Sequence, residues 1–452
     1  MQLKKQQLQE YLNIFSGEFR EIFFEKSKGF RILCLNGEFR TPAYSTLEGF
    51  SLLSRTDKKE YFKIFNDFEN IEEKIKIFSD EFSLHEELKP ALLKNGPDEL
   101  FLENIEEIHF DTKEIISSIQ QAFDTYLKNN SFVVSSEIAL NFSQKSFIVG
   151  NTQGNFGKDI NLYQTLFVKL IGEKGENREE IYEKITGTDI GEKMNQESIN
   201  ELIKNALIVL EKQLDGVASP NGKIDVIIGN ESGGTIIHEA VGHGLEADLQ
   251  NSSVYKGKIG QKVANEKVTI VDNPTHTHER GFYEFDHEGN KAQNTILIEN
   301  GILKSYLHNS KTAQKFGVES TGHGRKENYK YKNLVRMGNT YMLPGTDKKE
   351  DLIEKVKYGL YVSRMGGGQV NTVTGDFVFK VQNGFLIENG KLTNNVRGAT
   401  LSGNGPEMLN EIYGICDDLE FFDGGTCGKG QSMPVSDGVP TFWTQLKVSG
   451  IQ

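Results

Sequence analysis

Residues 224–248 read Ile224-Asp225-Val226-Ile227-Ile228-Gly229-Asn230-Glu231-Ser232-Gly233-Gly234-Thr235-Ile236-Ile237-His238-Glu239-Ala240-Val241-Gly242-His243-Gly244-Leu245-Glu246-Ala247-Asp248. The β-branched run at 224–228 predicts a short strand, Asn230 to Gly234 a turn, and Thr235 the start of a helix. That helix carries two histidines bracketing a glutamate. In an H-E-x-x-H arrangement the histidines fall at i and i+4, so both imidazoles reach one metal while the glutamate handles a water. Here the spacing is i, i+5. Five residues turn an ideal helix by roughly 140° beyond a full turn, too wide for an easy shared ligand. Two readings stay open. Either the histidines are unrelated helix-face residues beside an exposed glutamate, or the helix is distorted near Gly242 and Gly244 by a π-type bulge or unwound turn that swings His243 back towards His238.

Outward from this stretch, the chain divides by composition. Thirteen of the 46 glycines precede residue 219, whereas 20 of the 29 phenylalanines do, so the two halves follow different construction rules. The turn-rich segment Gly216 to Gly222 marks the boundary. Beyond the quoted helix the pattern is mostly β. Asn300-Gly301 and Asn389-Gly390 each follow an apolar run and favour tight hairpins, because both residues tolerate positive φ. The shared Ile-Glu-Asn-Gly-x-Leu at 298–303 and 387–392 hints at an internal repeat, although hairpins converge on this chemistry. In the first half, Asp111-Thr112-Lys113-Glu114 resembles a capping box before Ile115, Ile116, Ile119, Ala122, Phe123, Tyr126 and Leu127 at helical spacing. Short β-rich runs follow at 132–134, 138–142, 147–149 and 162–168, suggesting an antiparallel sheet. A helix from about Gln196 to Leu214 closes this half. The acidic, lysine-rich stretch from Lys58 to Glu81 reads as a solvated helix face.

With 51 basic against 64 acidic side chains, the formal charge of the 452 residues is −13. No long segment supplies the basic stripe that general nucleic-acid binding requires. No run of 18 apolar residues predicts a membrane span, and the first residues lack the apolar core of a signal peptide. Cytoplasm is the expected compartment. Cys34, Cys416 and Cys427 are too few and too scattered for a disulfide framework. Cys427 lies among Gly424, Gly425, Gly428 and Gly430, where backbone can approach a metal closely, whereas Cys34 and Cys416 sit in apolar runs. His276 and His278 form an H-x-H pair for which a structural role is the simpler reading.

The quoted stretch, read with Gly322-His323-Gly324-Arg325-Lys326-Glu327-Asn328-Tyr329, Arg336-Met337-Gly338-Asn339-Thr340-Tyr341-Met342, Gly366-Gly367-Gly368-Gln369-Val370-Asn371 and Gly425-Thr426-Cys427-Gly428-Lys429, resembles the TldD/PmbA family of metallopeptidases, in its TldD-like branch. The resemblance covers essentially all of residues 219–452. It is diffuse in the first half, carried by Glu48-Gly49-Phe50-Ser51-Leu52-Leu53 and the sheet after residue 130. It implies that His238, His243 and Cys427 hold one zinc ion per chain and that Glu239 acts as general base on the attacking water. Three protein ligands leave a fourth position for water, as in catalytic zinc sites. It further implies a dimer, either of this chain with itself or with a TldE/PmbA-like partner lacking the metal motif.

Glu246 and Asp248 are candidates for orienting the ligating imidazoles, or else a solvated acidic helix end. Gly366, Gly367 and Gly368 make either a bulge or a strand edge without side chains, along which an extended substrate peptide would pair by main-chain hydrogen bonds. The expectation is an α+β protein of two domains. Residues 1–218 form an N-terminal helix-plus-antiparallel-sheet domain for dimerisation and substrate access. Residues 219–452 form a β-rich C-terminal metallopeptidase domain with a metal-binding helix. The expected activity is zinc-dependent hydrolysis of peptides or unfolded protein segments. Its rivals are a peptide-binding or maturation scaffold with a structural metal site, and a cysteine hydrolase using Cys427.

Overall fold

The computed structural model describes all residues except 86–89, 95–96, 103–111, 189–194 and 451–452. Strands of the first half form an antiparallel sheet in the spatial order Glu60–Phe65, Ala43–Arg55, Phe19–Leu35, Val133–Asn151, Phe156–Lys174, Asn177–Gly187, with the short Glu38–Phe39 pairing off this path with Phe19–Leu35. The short runs expected between residues 132 and 149 are one continuous strand. Their polar spacers, around Ser135 and Ser143, contain no Gly or Pro to reverse the chain, so the backbone stays in the ladder from Glu21↔Asn151 to Leu35↔Glu137. The stretch from Lys58 to Glu81 is also corrected. Glu60–Phe65 is a strand, as its aromatic and β-branched content favours, and only Ile71–Glu81 is helical, burying Ile75 and Phe78.

Two helices, Thr112–Tyr126 and Gln196–Leu214, bury Ile119, Ala122, Ile203, Ala206 and Leu210 against Leu140, Leu166 and Val168 of the sheet. The second is capped by the Asn195 side chain, which accepts from the Ser198 N–H. Asp111, the expected cap of the first, lies outside the described residues. Helices Lys5–Leu12 and Ile71–Glu81 close a second cluster with Phe24, Phe50 and Leu52.

After residue 222 the core changes. Gly222–Ile228 pairs in parallel with Tyr358–Val370 and antiparallel with Phe442–Ser449. Tyr358–Val370 pairs with Asp376–Glu388, that strand with Thr400–Asn404, and Thr400–Asn404 with Phe442–Ser449, so the pairing closes on itself. A second sheet runs Ile302–Leu303, Thr295–Glu299, Ile270–Asp272, Asn339–Met342, Ser432–Val439, Glu420–Gly428. The two Asn-Gly hairpins fall one in each sheet, with Asn300 and Asn389 at φ 48° and 50° and both following glycines at 77°. Their likeness therefore follows from a shared turn geometry.

The helical segment after Gly222–Ile228 touches strands of both sheets. Ile236, Ile237, Val241 and Leu245 are fully buried there, each contributing about 1.5–3 kcal/mol of apolar burial. The two halves meet through Phe23, Phe147, Val149 and Tyr329 and through a buried Lys326–Glu21 ion pair of 3.0 Å. The architecture is α+β and rich in sheet. Among the described residues no helix is long and apolar enough to cross a membrane.

Candidate metal centre

The histidine segment is not one regular helix. Thr235–Ile237 is α-helical, His238–Gly242 is a π-helical turn, and His243–Leu245 is a 3₁₀ turn. The His243 N–H donates to the His238 carbonyl, an i+5 bond that brings residues five apart onto one face. The imidazoles consequently sit 5.1 Å apart between ring centroids, nearly perpendicular. This resolves the conflict between spacing and helix geometry in favour of the distorted segment.

Gly242 enables the turn differently from expectation. Its φ −55° and ψ −53° are ordinary helical values, open to any residue. What matters is the missing side chain, since a Cβ there would lie 2.1 Å from Met337 Sδ. Gly242→Ala is therefore expected to cost about 1–3 kcal/mol by overpacking. Urea unfolding checks this, and an unchanged midpoint would contradict it.

Cys427 arrives from the edge strand Glu420–Gly428, with its Sγ 3.1 Å from His243 Nε2. Ligand atoms of His238, His243 and Cys427 lie within 4.8 Å of one another, and all three residues are buried. Burial alone would raise the Cys427 thiol, but the two imidazoles, by charge and hydrogen bond, bring it down to about 5. It is then a thiolate at neutral pH. Two imidazoles and a thiolate suit zinc and other borderline-soft cations rather than magnesium or calcium. The residues present fit a metal site. Cys34 and Cys416 are buried elsewhere, and burial raises both thiols.

Glu246 is fully buried, and its Oε2 accepts from His243 Nδ1 at 2.8 Å and from Lys429 Nζ at 3.1 Å. Burial opposes ionisation, yet His243, Lys429 and Arg336 hold this carboxyl at about 2. As an ionised acceptor it fixes His243 with Nδ1 protonated and, against burial, helps raise the imidazole well above its ordinary pKa, so Nε2 keeps a proton shared with Cys427 that a bound metal would replace. Asp248 stands one step out, accepting from Lys429 Nζ at 2.7 Å. Arg336, almost wholly buried, donates to the Cys427 carbonyl at 2.7 Å and to the Gln431 carbonyl at 2.8 Å, with Nε 3.8 Å from Glu246 Oε1. It thus ties the backbone of the cysteine to the carboxylate that holds the second histidine. Removing that carboxylate with Glu246→Ala is expected to weaken zinc binding 10–100-fold, on the order seen for partners of metal-bound histidines. Competition with a chromophoric chelator measures it, and wild-type affinity would contradict the arrangement.

Glu239 Oε2 lies 3.8 Å from His243 Nε2, with a quarter of the side chain exposed. Burial raises its carboxyl above the usual range against the pull of both imidazoles. The arrangement places a proton acceptor between the donor cluster and solvent. Sequence reasoning missed Arg336, Lys429, Asp437 and Lys184. Asp437, buried on Ser432–Val439, is electrostatically coupled to His238 and Glu239, and Lys184 of the first half's edge strand donates to the Gly424 carbonyl at 2.8 Å. Arg336 and Lys429 stood inside quoted motifs, but a lone cation in a motif does not announce its partner. His276 hydrogen-bonds Tyr341 and packs on Phe421, and neither it nor His278 joins a metal-ligating group among the described residues.

The glycine triplet is elsewhere. Past Val362, strand Tyr358–Val370 pairs among the described residues only with Asp376–Glu388, and its register slips between Met365 and Gly368. Gly366 is buried, and a Cβ on Gly368 would strike the Phe379 ring at 2.0 Å, whereas one on Gly367 would meet nothing within 4 Å. The triplet is thus both a bulge and an open edge. Gly367 and Gly368 line a cavity of about 840 Å³ with Arg178 and Glu179 of the first half, and none of the three donors or Glu239 lines it.

Fold and site together define a sheet-rich α+β protein whose buried π-turn and edge strand converge two imidazoles and a thiolate. A family model described as PmbA/TldA metallopeptidase C-terminal domain matches residues 221–450. The metalloprotease TldD homologue of Buchnera aphidicola from Acyrthosiphon pisum is 37% identical over 69% of this chain and 66% of its own. That from Schizaphis graminum is 34% identical over 80% of this chain and 77% of its own. The zinc metalloprotease TldD homologue of Saccharolobus solfataricus is 32% identical over 63% and 65%. TldE from Thermococcus kodakarensis shares the fold, with a TM-score of 0.75 at 19% identity over 99% of both chains. The chain belongs to the PmbA/TldD family of metallopeptidases.

Proposed function

We propose that the chain is a zinc-dependent metallopeptidase that hydrolyses peptide bonds in peptides or unfolded protein segments. His238, His243 and Cys427 hold one zinc ion per chain, and Glu239 is the general base. The observation that carries this reading is the convergence of three buried donors within 4.8 Å, with the Glu239 carboxylate beside them and open to solvent. The name of the Saccharolobus relative supports zinc. A bound zinc ion supplies a Lewis acid that polarises the scissile carbonyl and lowers the pKa of water. Glu239 takes the proton of the attacking water on its carboxylate and passes it to the leaving amine. Glu246, backed by Asp248 through Lys429, keeps His243 oriented, and Arg336 keeps Cys427 in place.

The free edge beginning at Ser363 belongs to a strand that touches the His238–Gly242 turn. From Gly366, which is buried, that edge runs through Gly367 and Gly368 into the 840 Å³ cavity, where an extended peptide pairs by its main chain. Such pairing reads backbone, which folded proteins keep occupied. Residues 1–218 act as the domain for substrate access and dimerisation and residues 219–452 as the peptidase domain, within a homodimer or a heterodimer with a TldE/PmbA-like subunit. The three unpaired thiols suit a cytoplasmic setting.

Gly367→Ile tests the substrate edge, because a Cβ there meets nothing within 4 Å in the free protein and the branched side chain stands in the way of a docked strand. Hydrolysis of an unfolded substrate should show a KM raised at least about tenfold with kcat nearly kept. An unchanged KM in a stable variant would remove the triplet from substrate binding.

A further inference from the structure

A second cavity, of about 560 Å³, opens between the two halves behind the metal-binding segment. Its wall includes Ala247 and Asp248, just beyond His243, together with Asn333, and on the other side Phe19 and Arg55. None of His238, Glu239, His243 or Cys427 lines it, and it shares no residue with the glycine-edge cavity. Its volume is within the usual range for small-molecule sites.

Two polar groups in this wall lack protein partners. Arg55 is only 8% exposed and lies across the ladder from Phe19, with its guanidinium 4.4 Å from the centre of the phenyl ring. Among the described residues its side chain makes no hydrogen bond or ion pair, and Nη2 is buried without an acceptor. Asn333 gives its amide nitrogen to Glu21 at 3.1 Å, and its buried Oδ1 accepts from nothing described. A buried guanidinium and a buried amide oxygen are costly to leave unsatisfied. Their demands differ: Arg55 calls for an anionic acceptor with two oxygens, Asn333 for an N–H donor. Of the other cations in the wall, Lys311 is paired with Glu60 at 2.9 Å and Lys315 is exposed, and of its carboxylates Asp248 is paired with Lys429 while Glu18 and Asp57 are exposed, so Arg55 is the buried cation without an anion among the described residues.

We propose that this cleft binds a short peptide or free amino acid through its α-carboxylate, held by Arg55, with a ligand N–H given to Asn333 Oδ1. The Phe19 ring, its centre 4.4 Å from the guanidinium carbon, packs against the group that would meet the carboxylate. The site is separate from the hydrolytic centre and does not depend on the peptidase reading.

The test is calorimetric titration of the full-length, zinc-loaded chain carrying Glu239→Gln, which prevents turnover of the probe, with Ala-Ala-Ala and with its C-terminal amide. The acid should bind one per chain at this site and the amide at least tenfold more weakly. Adding Arg55→Gln should weaken the acid at least tenfold, whereas binding at the metal centre would survive that change. Gln314→Trp, from an exposed helix position lining the same cavity, should weaken the acid as well and decides the matter if Arg55→Gln fails to fold. Failure of the acid to bind, equal binding of acid and amide, or undiminished binding in either folded variant would overturn the proposal.

Discussion

Cys427→Ala is expected to leave the chain folded but nearly free of zinc when purified without added metal, under conditions where the wild type is expected to carry about one ion. The cysteine is the one donor that comes from a sheet edge, both histidines lying on the helical segment, and it is the anionic one. Without it two neutral imidazoles remain, too few for a closed or catalytic zinc site. Partners that only orient a metal-bound histidine change affinity 10–100-fold. Loss of a thiolate ligand should exceed the upper end of that range, about 100-fold, and abolish hydrolysis with it. In the apoprotein the change also removes the Cys427 hydrogen bonds to the imidazoles, a loss confined to the donor cluster. Zinc retained at the wild-type ratio would place the metal on other residues.

The second large effect is at Glu239. Glu239→Gln keeps the size and position of the side chain but cannot take a proton. Turnover of an unfolded protein substrate should fall about 10²–10⁴-fold, the usual contribution of a positioned general base. Zinc content and substrate KM should change little, since the carboxylate stands 3.8 Å from His243 Nε2 and is not one of the three converging donors. This split separates hydrolysis from the scaffold alternative. A structural metal site in a peptide-binding scaffold has no use for a base, so wild-type function in Glu239→Gln would favour the scaffold. Activity that survived chelation would instead favour the cysteine hydrolase, in which Cys427 attacks directly.

The local pattern was legible wherever a single element decides it. The strand read at 224–228, which in the structure begins two residues earlier at Gly222, the two Asn-Gly hairpins and the helix over Gln196–Leu214 follow from periodicity and turn chemistry. The π-turn was visible only as a contradiction, an i, i+5 pair on a segment whose helix repeat is 3.6. The partner of the histidines, 184 residues further on, came from the family resemblance and from glycines around the cysteine. Of those glycines, Gly424 serves packing against Val435, and Gly428 faces open space. The long strands of the first half were read as fragments because serines and lysines within 133–151 imitate turns when cross-strand pairing is unseen. Arg336 was hidden for a different reason. Its role lies in three contacts to residues 90 or more positions away, and long-range partners of one buried cation leave no periodic trace.

The central claim is that one zinc ion is held by two imidazoles and one thiolate in this chain. Zinc-edge X-ray absorption of the full-length protein tests it most directly. The account predicts one sulfur neighbour at about 2.3 Å and two imidazole nitrogens at about 2.0–2.1 Å, with a further light atom completing four. A shell of nitrogen and oxygen alone, or one with two or more sulfurs, would contradict it.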